Sequence, residues 1–145
     1  MNALLTPWGA EFGLPPFAAI SDADFAPAFD AALAEARANI AAIAAQADAP
    51  DFANTIEALE LAEALLDRVS GVFYNLAGAD STEPREALQR DLAPKMSAFA
   101  SEVTNNAALF GRIEALWQGR EGLGLTPEQL RVLTLYRQMF VPSGL

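Results

Sequence analysis

Glu57, Glu60 and Glu63 recur at three-residue steps. On a helix that spacing puts carboxylates on one side, which is how helical di-iron and di-manganese sites begin. Such sites also need Glu-x-x-His motifs, and this chain has no histidine. We therefore read the three glutamates as a solvated helix face. Asp22 and Asp24 suit the positive end of a helix better than a catalytic pair. Phe73, Tyr74 and Asn75 could line a peptide groove; core packing with a polar tip is the simpler role. Ala77-Gly78-Ala79-Asp80 could be a functional loop, and we read it as a helix end and a turn. Gly119, Gly122 and Gly124 lack the Lys and Ser/Thr of a phosphate loop, so they act as breakers. Trp8 and Trp117 could anchor a partner, or one could dock the N-terminal segment while the other ends a core stripe. No residue is assigned a catalytic, cofactor-binding or metal-binding role.

The side-chain inventory narrows the chemistry further. There is no cysteine, which removes disulfides, thiolate nucleophiles, Cys-ligated zinc and iron–sulfur centres and fits a reducing compartment. Without histidine there is no imidazole base and no His-ligated metal. Nineteen acidic residues against nine basic ones give a net charge of -10, and Lys95 is the single lysine. Such a chain repels phosphate backbones and anionic membrane surfaces. With 52% hydrophobic residues the charge does not imply disorder. Met1 to Ala10 has no basic and apolar signal pattern. The Ala-rich run from Ala31 to Ala47 is broken by Glu35, Arg37, Asn39 and Gln46, so it does not read as a membrane span. A cytoplasmic protein is the expectation.

Positioning falls to helices, because Ala dominates the apolar residues and β-branched residues are sparse. Residues 1–20 hold Pro7, Gly9, Gly13, Pro15 and Pro16, which forbid a helix. Yet Leu4, Leu5, Trp8, Phe12, Leu14, Phe17 and Ile20 are large and apolar. We read 1–20 as an extended arm docked on a helical body at 21–145. A first helix is predicted from about Asp24 to Gln46, capped at Ser21, Asp22 or Asp24. Its apolar stripe is Phe25, Phe29, Leu33, Ala36, Ile40 and Ile43. A second should start near Asn54 or Thr55, with Glu57 completing a capping box, and end near Gly78 as a left-handed cap. One stripe on it is Ile56, Leu59, Leu66, Val69, Phe73 and Leu76. Leu61, Leu65 and Val72 form another, which would make this helix central.

A third helix should start at Thr82 and run through Pro94 with a kink, on Leu88, Leu92, Met96, Phe99 and Val103. Glu86 with Arg90 and Asp91 with Lys95 are spaced to pair along it. Thr104, Asn105 or Asn106 would cap a short fourth helix facing inward through Leu109, Ile113 and Leu116 or Trp117. Thr126-Pro127-Glu128-Gln129 is the strongest start signal, with a cap, Pro at the first position and Gln at the third. The stripe after it is Leu130, Leu133, Tyr136, Met139 and Phe140. The expected fold is all-α, an antiparallel bundle of about five helices with an extended N-terminal arm.

Several phrases, in order, resemble one family. Gly13-Leu14-Pro15-Pro16-Phe17, Ile20 and Phe25-x-Pro27-Ala28-Phe29 come first, and Phe52-x-Asn54-Thr55-Ile56-Glu57-Ala58-Leu59-Glu60 follows. Phe73-Tyr74-Asn75-Leu76 is third. Asn106-x-x-Leu109-Phe110-x-Arg112-Ile113 and Leu130-x-x-Leu133 complete the series. Together they resemble the N-terminal part of thimet-oligopeptidase-like zinc metallopeptidases, nearest the bacterial peptidyl-dipeptidase and oligopeptidase A branch. The resemblance implies a two-lobed helical enzyme around a deep channel. Its zinc would be held by a His-Glu-x-x-His helix and a further Glu, none of which lies in this chain. It implies partners too: the remainder of a parent polypeptide, and short peptides as the parent's substrates. On this view the chain is a non-catalytic N-terminal lobe segment, part of the channel wall that restricts entry to short peptides. A self-standing helical interaction module is the alternative. A lobe segment alone should expose apolar faces and self-associate at high concentration.

Overall fold

The computed structural model describes residues 2–5 and 20–141. Every regular element among them is helical, so the all-α class is borne out. We number the α-helices α1 (Phe25–Ala45), α2 (Ala58–Ala62), α3 (Ala64–Ala79), α4 (Glu83–Thr104), α5 (Ala107–Gln118) and α6 (Pro127–Phe140). A 3-10 turn, Asp22–Asp24, leads into α1, and a π-helical turn, Phe52–Glu57, leads into α2. The chain divides into two compact units, Met1–Ala36 with Glu63–Ser97, and Arg37–Ala62 with Ala98–Leu145.

In the first unit, Phe25, Phe29 and Leu33 of α1, Leu66, Val69 and Phe73 of α3 and Leu92 of α4 are buried, all at most 3% exposed. The Phe73 ring stands edge-on to Phe25 at 5.1 Å and to Phe29 at 5.6 Å. Positive ring edges then face negative ring faces, worth about 0.5–1.5 kcal/mol per pair beyond burial. Of the expected arm, residues 6–19 lie outside the described residues, Trp8, Phe12, Leu14 and Phe17 among them. Asn2–Leu5 forms a turn in which Leu5 N donates to Asn2 O (3.0 Å). Leu4 is fully buried, and Arg68 donates to its carbonyl at 3.1 Å. The Asn2 amide reaches Asp24 O at 2.8 Å, tying this turn to the start of α1.

α3 runs to Ala79, so Gly78 lies inside it and is not the left-handed cap the sequence predicts. A tertiary donor does that job. Arg85 of α4 donates to the carbonyls of Leu76 and Asp80, and its Nε pairs with Asp22 at 2.9 Å. Orphan carbonyls at a helix end accept a side-chain cation as readily as a glycine turn. α4 is one helix through Pro94, as predicted, although Pro94 has no N–H for the Arg90 carbonyl. Its expected local pairs give way to other partners: Lys95 meets Asp30 of α1 at 2.9 Å, and Glu86 accepts from Ser81 at 2.9 Å.

The second unit packs Ile40 and Ile43 of α1, Ile56 of the π-turn, Leu59 of α2, Phe99 of α4, Leu109, Ile113 and Leu116 of α5, and Leu133 and Phe140 of α6. Asn106 caps α5 by accepting from Leu109 N at 3.0 Å. Thr126 caps α6 in a reciprocal box: Gln129 N donates to Thr126 Oγ1 (3.1 Å) and Thr126 N to Gln129 Oε1 (2.9 Å). Both starts match the sequence. The start before α2 does not. Asp51 is the N-cap and Asn54 is its partner three residues on, with bonds of 2.6 and 2.8 Å, whereas Asn54 and Glu57 were the expected pair. Asn54 cannot stand outside the helix as a cap because its side chain is already engaged from several directions, as described next.

The single helix predicted through this region is also broken at Glu63, where the backbone turns to φ -105, ψ 15. At the break, Ala62 O accepts from Asn39 of α1 at 3.1 Å. The expected second stripe fails at its first member: Leu61 is 72% exposed, Leu65 is half-buried, and only Val72 is buried.

Candidate functional site

The carboxylates singled out in the sequence do not converge. Glu57 and Glu60 are exposed and Glu63 is half-buried. Burial, and then the neighbouring Asp67, hold the Glu63 carboxyl above its ordinary range. Among the described residues no three acidic side chains are grouped to hold a metal ion. Asp22 pairs with Arg85, and Asp24 accepts from Ser21 N at 2.8 Å, so both serve the start of α1. Phe73 belongs to the core, Tyr74 is 44% exposed, and Asn75 is exposed beside it. Gly124 takes φ +65, the left-handed region open to glycine, and reverses the chain ahead of α6.

Trp117 is half-buried beneath two guanidinium groups, with Arg120 at 4.1 Å and Arg137 at 5.0 Å from the ring centre. Arg137 also pairs with Glu114 at 2.7 Å. That pair, with a second hydrogen bond from Gln118, holds the Glu114 carboxyl below its ordinary range. The indole thus ends the α5 stripe as a platform for the α5–α6 contact.

The cluster the sequence did not reveal is centred on Arg112 of α5. It is 8% exposed, among the few buried polar residues. Its Nη1 donates to Asp48 O at 2.9 Å and to Gln46 O at 3.4 Å, and its Nη2 donates to Asn54 Oδ1 at 3.0 Å. Asn54 is the other pole. Its Oδ1 also accepts from Asp51 N and from the buried Thr55 hydroxyl at 2.8 Å, and its Nδ2 donates to Ala49 O at 2.9 Å. Gln46 closes the ring by donating to Asn54 O at 2.9 Å. Three carbonyls of the loop between α1 and α2, those of Gln46, Asp48 and Ala49, thus accept from Arg112 or Asn54, which ties a largely exposed loop to the protein. A planar fork of donors that stays charged suits several carbonyls converging from one loop.

Two of the sequence phrases, the one with Asn54-Thr55-Ile56 and the one with Arg112-Ile113, meet in this cluster. Its contacts are hydrogen bonds that hold the loop between α1 and α2 against α5. A signal was present in the sequence: Arg112 stands three residues after Leu109 and beside Ile113, on the inward side of α5.

The described residues thus form packed helices around a buried arginine clamp. No family model matches the chain. The dipeptidyl carboxypeptidase of Salmonella typhimurium is 37% identical over 143 residues, which are 99% of this chain and 21% of that enzyme. The dipeptidyl carboxypeptidase of Escherichia coli is 37% identical over 144 residues, again 99% of this chain and 21% of the enzyme. The chain spans about a fifth of the length of the relatives it matches, and what it matches is an N-terminal segment. The resemblance read from the phrases is thereby borne out.

The zinc that this resemblance implies finds no fit in the chain itself. Zinc sites of that type draw on imidazole, and the chain has none. No helix among the described residues is long and apolar enough to cross a membrane.

Proposed function

We propose that the chain is the non-catalytic N-terminal helical segment of a zinc-dependent peptidyl-dipeptidase, acting in the cytoplasm. In that enzyme it forms part of the channel wall that limits entry to short peptides. The observation that carries this reading is the 37% identity across 99% of the chain to enzymes about five times as long. The residue inventory supports it: the chain has no histidine for the metal and no thiol nucleophile. A fixed wall is what a clamped inter-helix loop favours, since a filter needs a fixed shape.

The test is a chimera in which this chain replaces the matching 144 residues of the Escherichia coli dipeptidyl carboxypeptidase. The chimera should release dipeptides from short peptides, and the enzyme lacking those residues should not. The chimera should also discriminate against long or folded substrates as the parent does. The pure 145-residue chain should show no peptidase activity. A chimera no more active than the deletion would sink the assignment, and activity in the pure chain would do the same.

A further inference from the structure

A pocket of about 150 Å³ opens between α1 and α4 in the second unit. Ile40 of α1 and Phe99 of α4, both buried, form its floor, with Ala41 and the half-buried Val103 beside them. A cavity of that volume holds a group the size of benzene, so one compact apolar side chain fits. Arg37 and Glu102 also line it, and both side chains are exposed. Arg37 Nε donates to Glu102 Oε2 at 2.8 Å, and its Nη2 donates to Glu102 Oε1 at 3.4 Å. The guanidinium also stands over the Phe99 ring, 5.8 Å from its centre, which holds it at the pocket's edge. These bonds use two of the five N–H donors of a guanidinium, and a carboxylate has about four lone-pair sites. The pair therefore keeps donors and acceptors for a third group without having to break.

We propose that this pocket binds a free α-amino acid with a compact apolar side chain, such as leucine. The ligand's carboxylate accepts from Arg37, its ammonium donates to Glu102, and its side chain lies on Ile40, Phe99 and Val103. Three observations select this class. The Arg37–Glu102 pair is neutral as a whole, so a ligand with one charge is drawn to one member and repelled by the other. The two charges of the pair meet at 2.8 Å, so the ligand's own charges must lie equally close together. That holds when ammonium and carboxylate share one carbon, whereas in a dipeptide a peptide group separates them. The pocket admits a single side chain, and a polar one would lose its water over an apolar floor. The inference goes beyond the peptidase assignment and does not depend on it.

The test is a nuclear magnetic resonance titration of the isotope-labelled 145-residue chain with L-leucine. The backbone amide signals of Ile40, Val103 and Asn106, all lining the pocket, should move and saturate. Glycine lacks the side chain, and N-acetyl-leucine and leucinamide each keep one charge; all three should bind about tenfold more weakly or worse. Arg37→Gln and Glu102→Gln should weaken leucine by a similar factor, and because both side chains are exposed the melting curve should confirm an intact fold. Absence of a saturable shift with leucine would overturn the inference. So would equal binding of the singly charged analogues, or undiminished binding by Glu102→Gln. The chimera should retain leucine binding that depends on Glu102, read by equilibrium dialysis of labelled leucine. Its loss in an active chimera would make the rest of the enzyme the pocket's occupant and overturn the inference.

Discussion

The aromatic cluster around Phe73 and the polar cluster around Arg112 solve the same problem by opposite means. Each joins elements far apart in sequence. Phe73 does so with shape: Phe25 and Phe29 meet its ring edge-on in a fully buried site. Arg112 does so with donors, satisfying the carbonyls of Gln46 and Asp48 and the side chain of Asn54. Helices present side chains and can be packed with hydrocarbon. A loop presents backbone, whose carbonyls are held by donors instead. Where two helices meet, an apolar stripe suffices; where an exposed loop is tied down, a fork of hydrogen bonds reaches it.

The largest expected effect is on the aromatic side. Phe73→Ala removes a fully buried ring and should cost about 3–5 kcal/mol. Urea unfolding followed by circular dichroism would measure it, and a loss below 1 kcal/mol would mean the site collapses to fill the void. Arg112→Met keeps the apolar stem and removes the charged fork with its bonds to Gln46 O, Asp48 O and Asn54 Oδ1. We expect a loss of about 2–3 kcal/mol. Asn54→Ala should cost less alone, and the double variant should fall short of additivity by about 0.5–3 kcal/mol. Strict additivity would show that the two residues do not act as one clamp. Thr126→Ala removes the α6 cap and should cost about 1 kcal/mol; no change in the unfolding midpoint would show that the box at Thr126 is dispensable.

The smallest effects concern pH. The Glu114 carboxyl lies below its ordinary range in the fold, chiefly through Arg137. Its contribution is therefore present above the unfolded value and disappears as pH falls through the folded one. Glu63 is the reverse case, raised chiefly by burial. The folded state holds its proton more tightly, so stability is full below the unfolded value and declines as pH rises through the raised one. Glu63→Gln should therefore exceed the wild type in stability at neutral pH and converge with it in acid. Glu114→Gln should be weaker at neutral pH and should also converge in acid. Thermal melts across pH 3 to 8 (about the span over which carboxylates change charge) would reveal curves that fail to converge.

Most of the helical framework was legible in the sequence, because periodicity and caps are local. Thr126 with Gln129 needs only the chain's own neighbours, and so does Asn106 with Leu109. The α1 stripe from Phe25 to Ile43 is buried throughout, since six apolar residues at helical spacing have one way to leave water. The Leu130 and Met139 positions show where periodicity overreached: both follow the stripe of α6 and both are exposed. A pattern states that a residue prefers burial, and whether anything in the chain covers it is a separate matter.

The sequence alone determined the helical class, the absence of imidazole and thiol chemistry, and the resemblance to a peptidase N-terminal segment. Each depends on residue identity or on spacing within one turn. Tertiary structure alone decided that Asn54 belongs to Asp51 and Arg112 rather than to Glu57. It also decided that Arg85 closes α3 in place of Gly78, and that the helix from Ala58 to Ala79 breaks at Glu63. In the first two cases the deciding partner is a long polar side chain reaching from another element. One such group can satisfy any of several nearby carbonyls, and only the folded geometry selects among them.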